Sequence, residues 1–260
     1  MASTRNTRRL TARSAVASTL LGVRPPELPT RSIVATVELL GIAPGTARVA
    51  MSRMVAAGEL EATSAGYRLV GRSLLARGSR QDLSRAGAPE PWSGRWRLAV
   101  APGEARPAAE RSELRAALVA LRHGELREGV WLRPDNLPAE VLPDAEASVA
   151  ARCTTFLTEP DHPGALAGEL WDLDGWATSA RRLLADVAPL HHRLVDRDPS
   201  ALATAFTLAA EVLRHLQADP LLPVDLLPPR WPGDELRGAY EAFDAAFKTT
   251  LSAWLRDHTG

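Results

Sequence analysis

The spacing of apolar residues divides the chain into short N-terminal helices, a middle part that alternates strand and helix, and a helical C-terminal part. The pattern predicts three short helices at 11–21, 30–40 and 46–57, the second with Thr30 as its N-cap. It also predicts a hairpin of two strands at 59–63 and 67–70. A Pro-Gly turn separates the second and third helices. A hairpin directly after the third helix predicts a winged helix-turn-helix.

The third predicted helix has two different faces. At about 100° per residue, its apolar face consists of Ala47, Ala50, Met51 and Met54. The opposite face is small or polar and carries two arginines and a serine. Such side chains can bond guanine or phosphate at close range, so we expect this helix to lie in a DNA major groove. The residues expected to contact DNA are Thr46, Arg48, Val49, Ser52 and Arg53, with Tyr67 and Arg68 near the hairpin tip.

The middle of the chain alternates strand and helix patterns. Strands are predicted at 96–100, 128–133 and 151–157, and a helix at 107–123. The second crossover, 136–150, contains two prolines, so its helix is expected to be short or broken. These elements indicate a small α+β layer.

The C-terminal half contains three apolar stripes at helical spacing. They run from Leu173 to Leu190, from Leu202 to Leu216 and from Leu236 to Trp254. Three helices that each bury one stripe predict a bundle. The predicted fold class is therefore α+β and multidomain, with a winged helix-turn-helix, a small α+β domain and a helical bundle.

Charge separates the predicted DNA-binding part from the rest. The 260 residues carry 31 basic and 31 acidic side chains, yet residues 1–85 have a net charge of +8 and the remainder −8. A basic N-terminal part suits a polyanion-binding module, and a solvated basic face is the equal alternative. Cys153 is the only cysteine and no apolar run could span a bilayer, so a cytoplasmic location is expected, with no membrane partner.

The sequence contains no pattern of catalytic or metal-binding residues. His162 and the pair His191–His192 lack zinc-ligand spacing, and phosphate-binding, dinucleotide-binding and nucleophile-elbow motifs are absent. Cys153 is expected to be a buried structural thiol, and Asp172 and Asp174 are expected to cap a helix that starts near Leu173. We therefore predict no catalytic residue, metal or cofactor.

Several motifs, in order, resemble the phenylacetate-catabolism repressor family, PaaX. Residues 48–60 resemble its recognition helix, R-x-A-x-S-R-hydrophobic-V-x-x-G-x-L. The later matches are to P-W-x-G-x-W, G-V-W-hydrophobic-x-P, L-W-D-L, D-P-x-L-P, L-L-P and W-P-G, at 91–96, 129–134, 170–173, 219–223, 226–228 and 231–233. The resemblance covers roughly residues 10–258.

The resemblance implies a ligand-responsive transcriptional repressor in three parts. These are a winged helix with a basic arm, a central ferredoxin-like domain, and a helical effector and dimerisation domain, placed at 1–88, 89–160 and 161–260. It also implies an acyl-coenzyme A effector, and we place a small-ligand site near Trp171, Glu211 and Arg214. Where family members often read H-E-x-R-R, this chain keeps only Glu211 and Arg214, which favours a different ligand.

Two further expectations concern assembly and the competing function. One short winged helix makes few contacts, so a homodimer on a pseudo-palindromic double-stranded operator is expected. Its dimer surface is expected in the acidic central or C-terminal part. The alternative is a nuclease-like enzyme on the ferredoxin-like domain, targeted by the winged helix. Such an enzyme needs metal-binding acids beside its first strand, where only Glu104 is available. A DNA-binding protein without an effector is a third possibility.

Overall fold

The computed structural model describes residues 11–87, 91–102 and 107–259. Its backbone divides into two compact units. Within the described ranges, unit 1 contains residues 11–78, 193–206 and 245–259, and unit 2 contains 79–87, 91–102, 107–192 and 207–244.

Unit 1 begins with the predicted three helices and hairpin. The elements are α1 (Ala12–Leu21), β1 (Glu27–Leu28), α2 (Thr30–Leu39), α3 (Pro44–Ala56), β2 (Leu60–Ala62) and β3 (Tyr67–Leu69). One predicted N-cap and one predicted helix start are wrong. Pro29 is the N-cap of α2, so Thr30 is its first helical residue. Helix α3 starts two residues earlier than predicted, because Pro44 sits in its first turn, where a missing N–H costs nothing.

The three strands form an antiparallel sheet in the order β1-β3-β2. Strand β1 was not predicted, because two residues cannot show a periodicity; it forms by pairing Glu27 with Arg68 and Leu28 with Tyr67. Gly66 lies in the wing turn with a φ of 149°. A Cβ atom there would lie 2.2 Å from the carbonyl oxygen of Leu28, so the turn requires glycine.

The core of the winged helix is made by the predicted apolar faces. Ala47, Met51 and Met54 of α3 are at most 1% exposed and pack with Leu20 and Ile33 of the first two helices. The helices bury one stripe each, which leaves the opposite face of α3 in solvent.

The central part has the strand order of a ferredoxin-like domain. Its elements are β4 (Trp96–Val100), α5 (Ala108–Ala120), β5 (Gly124–Arg127), β6 (Val130–Pro134), α6 (Pro143–Arg152) and β7 (Thr154–Thr158). They form an antiparallel sheet ordered β5-β6-β4-β7. Alternate residues of β4 serve two apolar clusters: Trp96 packs with Leu132, and Ala99 with Trp131. The second crossover is broken as predicted, into a 3-10 turn at Ala139–Val141 and the short helix α6.

The remaining described α-helices are α4 (Arg72–Ala86), α7 (Pro163–Leu170), α8 (Leu173–Val195), α9 (Leu202–Gln217) and α10 (Gly233–Thr259). Helices α4 and α7 were not predicted. The three predicted stripes are realised in α8, α9 and α10, where Leu183, Val212 and Phe243 are at most 1% exposed. Asp172 accepts a hydrogen bond from the amide of Gly175 (2.9 Å), which confirms it as the cap of α8. The fold is thus α+β and multidomain.

Candidate nucleic-acid interface

The outward face of α3 is the feature that suits DNA best. The side chains predicted to contact DNA are exposed on this helix: Thr46, Arg48, Val49, Ser52 and Arg53. Val49 is 52% exposed although it is apolar, so it offers a methyl-bearing surface to a partner. The structure therefore brings all five predicted residues to one surface.

The two arginines of this face have no partner among the residues that the structure describes. Among the described residues, neither Arg48 nor Arg53 forms an ion pair or a side-chain hydrogen bond. Their guanidinium groups can therefore bind acceptors on another molecule without first giving up a contact. A guanidinium fork matches the two acceptors of guanine and also binds phosphate.

The wing presents its predicted residues differently. Tyr67 is half-buried and packs against the apolar core of the winged helix. Arg68 is exposed, but its Nε and Nη2 atoms donate to Glu27 at 3.0 and 2.7 Å. Glu27 also accepts from the Thr63 hydroxyl at 2.5 Å. The bonds from Thr63 and then Arg68 lower the pKa of Glu27, and Glu27 raises the pKa of Arg68. The Arg68–Glu27 ion pair thus links β3 of the wing to β1. Only the N–H groups of Arg68 that do not bond to Glu27 remain for a ligand.

A second ion pair fixes the base of the wing. Arg13 of α1 donates through both Nε (2.9 Å) and Nη2 to Glu59, the residue just before β2. The hydrogen bonds from Arg13 lower the pKa of the Glu59 carboxyl. Neither ion pair was predicted from the sequence, because Glu27 and Glu59 entered that reasoning only through the net charge of residues 1–85. The predicted basic arm at the N-terminus lies outside the described residues.

The residues predicted to bind a small ligand lie in two different environments of unit 2. Trp171 belongs to an apolar cluster and stacks on Trp96 with 6.2 Å between ring centroids. On α9, Arg214 is exposed, whereas Glu211 accepts a 3.0 Å hydrogen bond from Arg182. Among the described residues, no hydrogen bond, ion pair or ring contact joins Trp171 to either of the other two.

An aromatic stack missed by the sequence reasoning lies beside Arg214. The Trp176 ring stacks on Trp231 at 4.5 Å and on His215 at 4.4 Å between centroids. His215 Nε2 lies 3.1 Å from the Trp176 carbonyl oxygen, which can only accept, so this nitrogen carries a proton. Burial lowers the pKa of His215. Trp176 and Trp231 belong to apolar patterns, so only the stacking of Trp176 on His215 and on Trp231 was not predicted.

A buried ionic cluster also escaped prediction. Arg237 donates to Asp219 at 2.6 Å and to the Ser84 carbonyl oxygen at 3.0 Å. Arg122 donates to the Ser84 hydroxyl at 2.7 Å and to the Gln217 carbonyl oxygen. Burial lowers the pKa of Arg122 to about 10. These partners are far apart in sequence, so no local pattern could have identified them.

The remaining candidates from the sequence are metal ligands, the single cysteine and the acid considered for a nuclease. In the described ranges, no three His, Cys, Asp or Glu side chains form a group that could hold a metal ion. Cys153 is half-buried rather than buried, because it ends α6 just before β7. Glu104, the acid considered for a nuclease, lies outside the described residues. No described helix is both long and apolar enough to cross a membrane.

Comparison with known proteins assigns most of the chain to one family. Three family models match in order: PaaX-like protein at 11–73, PaaX protein central Cas2-like domain at 89–167, and PaaX-like protein C-terminal domain at 171–257. The structure is similar to "Uncharacterized protein Rv0674 from Mycobacterium tuberculosis", with 39% identity, a TM-score of 0.71, and coverage of 94% of this chain and 98% of that one. No curated protein matches the chain. The chain belongs to the PaaX family and is a PaaX-like regulator.

Proposed function

We propose that this regulator is a repressor that reads double-stranded DNA with α3. The observation that carries the proposal is that Arg48 and Arg53 lie on the exposed face of a helix whose other face is buried, and that neither has a partner in the described ranges. The other side chains of this face are those of Thr46, Val49 and Ser52, which are small enough for the helix to approach the base edges. Arg48 and Arg53 supply the base contacts or the phosphate contacts nearest to them.

The wing supplies contacts to the DNA backbone in this proposal. Arg68 uses two of its nitrogens on Glu27, and its other N–H groups remain for a phosphate. Tyr67 holds the wing against the core and offers its hydroxyl. These contacts orient the protein on the duplex and carry no sequence information.

The first experiment measures DNA binding by Arg48→Ala and Arg53→Ala. The operator is first selected from random duplexes with the wild-type protein, and affinities are measured by fluorescence anisotropy at fixed salt. Each substitution is expected to cost about 1–3 kcal/mol of specific binding, and a base-reading arginine also relaxes one operator position. Arg127→Ala, an exposed arginine of β5 in unit 2, is the matched control. Wild-type affinity and specificity in both variants would show that another element reads the DNA.

We propose that the regulator binds as a homodimer to a pseudo-palindrome with half-sites about 10–21 bp apart. The edge strand β7 supports this, because Phe156 and Leu157 are 52% and 53% exposed on opposite faces of the sheet. An antiparallel second copy, with Phe156 facing its own counterpart, would continue the sheet.

We further propose that a small effector, an acyl-coenzyme A thioester or a related intermediate, releases the DNA. The exposed Arg214, the neighbouring Glu211–Arg182 pair and the apolar surface around Trp171 support a ligand with both charged and apolar parts. Release requires the ligand to favour the non-binding state by about 1–3 kcal/mol, and DNA must weaken ligand binding by the same factor.

The effector proposal is tested on a preformed protein–operator complex. Acyl-coenzyme A thioesters, free aromatic acids and plain coenzyme A are titrated, and DNA release is followed by anisotropy. Arg214→Ala and Glu211→Ala are expected to weaken the response to an active compound. An unchanged response in both variants would place the effector elsewhere while leaving the DNA-binding proposal intact.

A further inference from the structure

A basic cavity of about 350 Å³ lies within unit 1, between α10 and the turn after α8. We call it the Lys248 cavity. Its lining is Arg197, Lys248, Thr249, Ser252, Ala253 and Arg256. Three of these six described residues are cationic, two carry hydroxyls and none is acidic. Unit 1 also contains the winged helix.

The turn after α8 holds Arg197 in place. Arg197 has a φ of 58°, and its amide donates to the Leu194 carbonyl oxygen at 3.0 Å. The following Asp198 accepts from the amide and hydroxyl of Ser200 at 2.9 and 2.7 Å. Arg193 also donates to Asp198, at 2.9 Å. The charge of the Asp198 carboxylate is therefore neutralised by residues of the same turn. The backbone that carries Arg197 is held in place by these hydrogen bonds.

Helix α10 supplies the other wall. Lys248, Ser252 and Arg256 are four residues apart, so they follow one face of the helix over about 12 Å. The buried hydroxyl of Thr250 donates to the Leu194 carbonyl oxygen at 2.7 Å, which ties α10 to the turn that carries Arg197. The spacing between the walls is therefore set by a buried hydrogen bond.

Basic residues near helix ends have a simpler explanation, which accounts for two of the three cations of the cavity. A helix C-terminus carries about half a negative charge, felt within its last turn. That explains Arg197 after α8 and Arg256 near the end of α10. Lys248 lies eleven residues before Thr259, where α10 ends, so the dipole gives no reason for its position. Lys248 is also the only lysine among the 31 basic residues.

We propose that the Lys248 cavity binds a phosphate group, donated either by a free phosphorylated molecule or by the DNA backbone. Ammonium and guanidinium groups form the strong, charge-assisted hydrogen bonds that phosphate oxygens accept, and the two hydroxyls add neutral donors. A diphosphate offers more acceptor oxygens to these donors than a single phosphate does.

The experiment titrates inorganic pyrophosphate into the full-length chain by calorimetry at constant ionic strength. Saturable binding is expected, and Lys248→Gln and Arg256→Gln are each expected to weaken it about tenfold. Glutamine keeps the helix propensity, and circular dichroism checks the fold. Arg127→Gln, an exposed arginine outside the cavity, is expected to bind like the wild type. Absence of pyrophosphate binding, or wild-type binding in both cavity variants, overturns a free-ligand site.

A second arm distinguishes the source of the phosphate. If DNA supplies it, Lys248→Gln lowers the salt slope of duplex binding by about one and pyrophosphate competes with DNA. If a free molecule supplies it, the slope stays unchanged while pyrophosphate binding is lost in the variants. Unchanged duplex binding together with absent or variant-insensitive pyrophosphate binding refutes the phosphate site altogether. Neither arm alters α3, so the DNA-reading proposal stands or falls separately.

Discussion

The substitution Asp219→Asn tests whether the aspartate of the D-P motif stabilises the fold through its buried ion pair. It exchanges one carboxylate oxygen for an amide nitrogen and keeps the size of the side chain. Asp219 is 1% exposed and binds Arg237, itself 9% exposed, at 2.6 Å. Its other oxygen accepts from the amide of Leu221 at 2.9 Å, and asparagine can preserve that bond.

The expected cost follows from the charge that remains. Removing one partner of a buried ion pair costs about 3–5 kcal/mol. Two unit charges about 4 Å apart at an effective dielectric of 20 give about 4 kcal/mol, which agrees. The loss also affects Arg122, because the Asp219 charge opposes the lowering of its pKa by burial. Asp219→Asn therefore leaves two buried cations without their shared counter-charge.

The assay is urea unfolding followed by tryptophan fluorescence, since Trp176 and Trp231 lie in the same unit as the pair. The matched control is Asp234→Asn, because Asp234 pairs with the same guanidinium at 3.3 Å but its side chain is fully exposed. An exposed pair contributes about 0–1 kcal/mol. The reasoning fails if Asp219→Asn costs less than about 1 kcal/mol or no more than Asp234→Asn.

Three further predictions concern the wing and the proposed dimer. Folding lowers the pKa of Glu27, so the stabilisation that its carboxylate gives to the wing is complete above its unfolded pKa and is lost as the pH falls through the lowered pKa. The protection of wing amides from hydrogen exchange should therefore decrease at acid pH, and Glu27→Gln should remove this pH dependence. Gly66→Ala should cost about 1–3 kcal/mol in urea unfolding, because its Cβ meets the Leu28 carbonyl oxygen, whereas Gly164→Ala has open space and should cost far less. Phe156→Lys should shift sedimentation from dimer to monomer, and an unchanged dimer would exclude β7 as its interface.

Elements with a clear apolar period were predictable, and elements that depend on distant partners were not. The period places Ala47, Met51 and Met54 on one face of α3, and all three are buried. Strand β1, in contrast, exists because β3 pairs with it, and two residues show no period. Helix α4 is strongly polar on average, so its pattern gives little helical signal although Leu74 is buried.

The candidate site shows the same division. The exposed face of α3 follows from its sequence, because a helix with one apolar stripe must leave the other side in solvent. The state of Arg68 does not follow, since Glu27 is 41 residues away and meets it only through strand pairing. Arg122 and Arg237 are buried for a similar reason: their acceptors come from distant segments, and sequence patterns treat arginine as a surface residue.

The C-terminal motifs that link this chain to the PaaX family act mainly on its architecture. Asp172 of L-W-D-L caps α8, and Asp219 of D-P-x-L-P neutralises buried arginines. Gly233 of W-P-G leaves no room for a Cβ, which would lie 2.5 Å from Trp231. Arg48 and Arg53, in the recognition-helix motif, instead have no partner in the described chain. The hydrogen bonds of Asp172 and Asp219 do not involve Arg48 or Arg53, so substitutions at these two arginines leave those bonds in place. The family match therefore constrains the fold more tightly than it constrains the DNA sequence that this regulator reads.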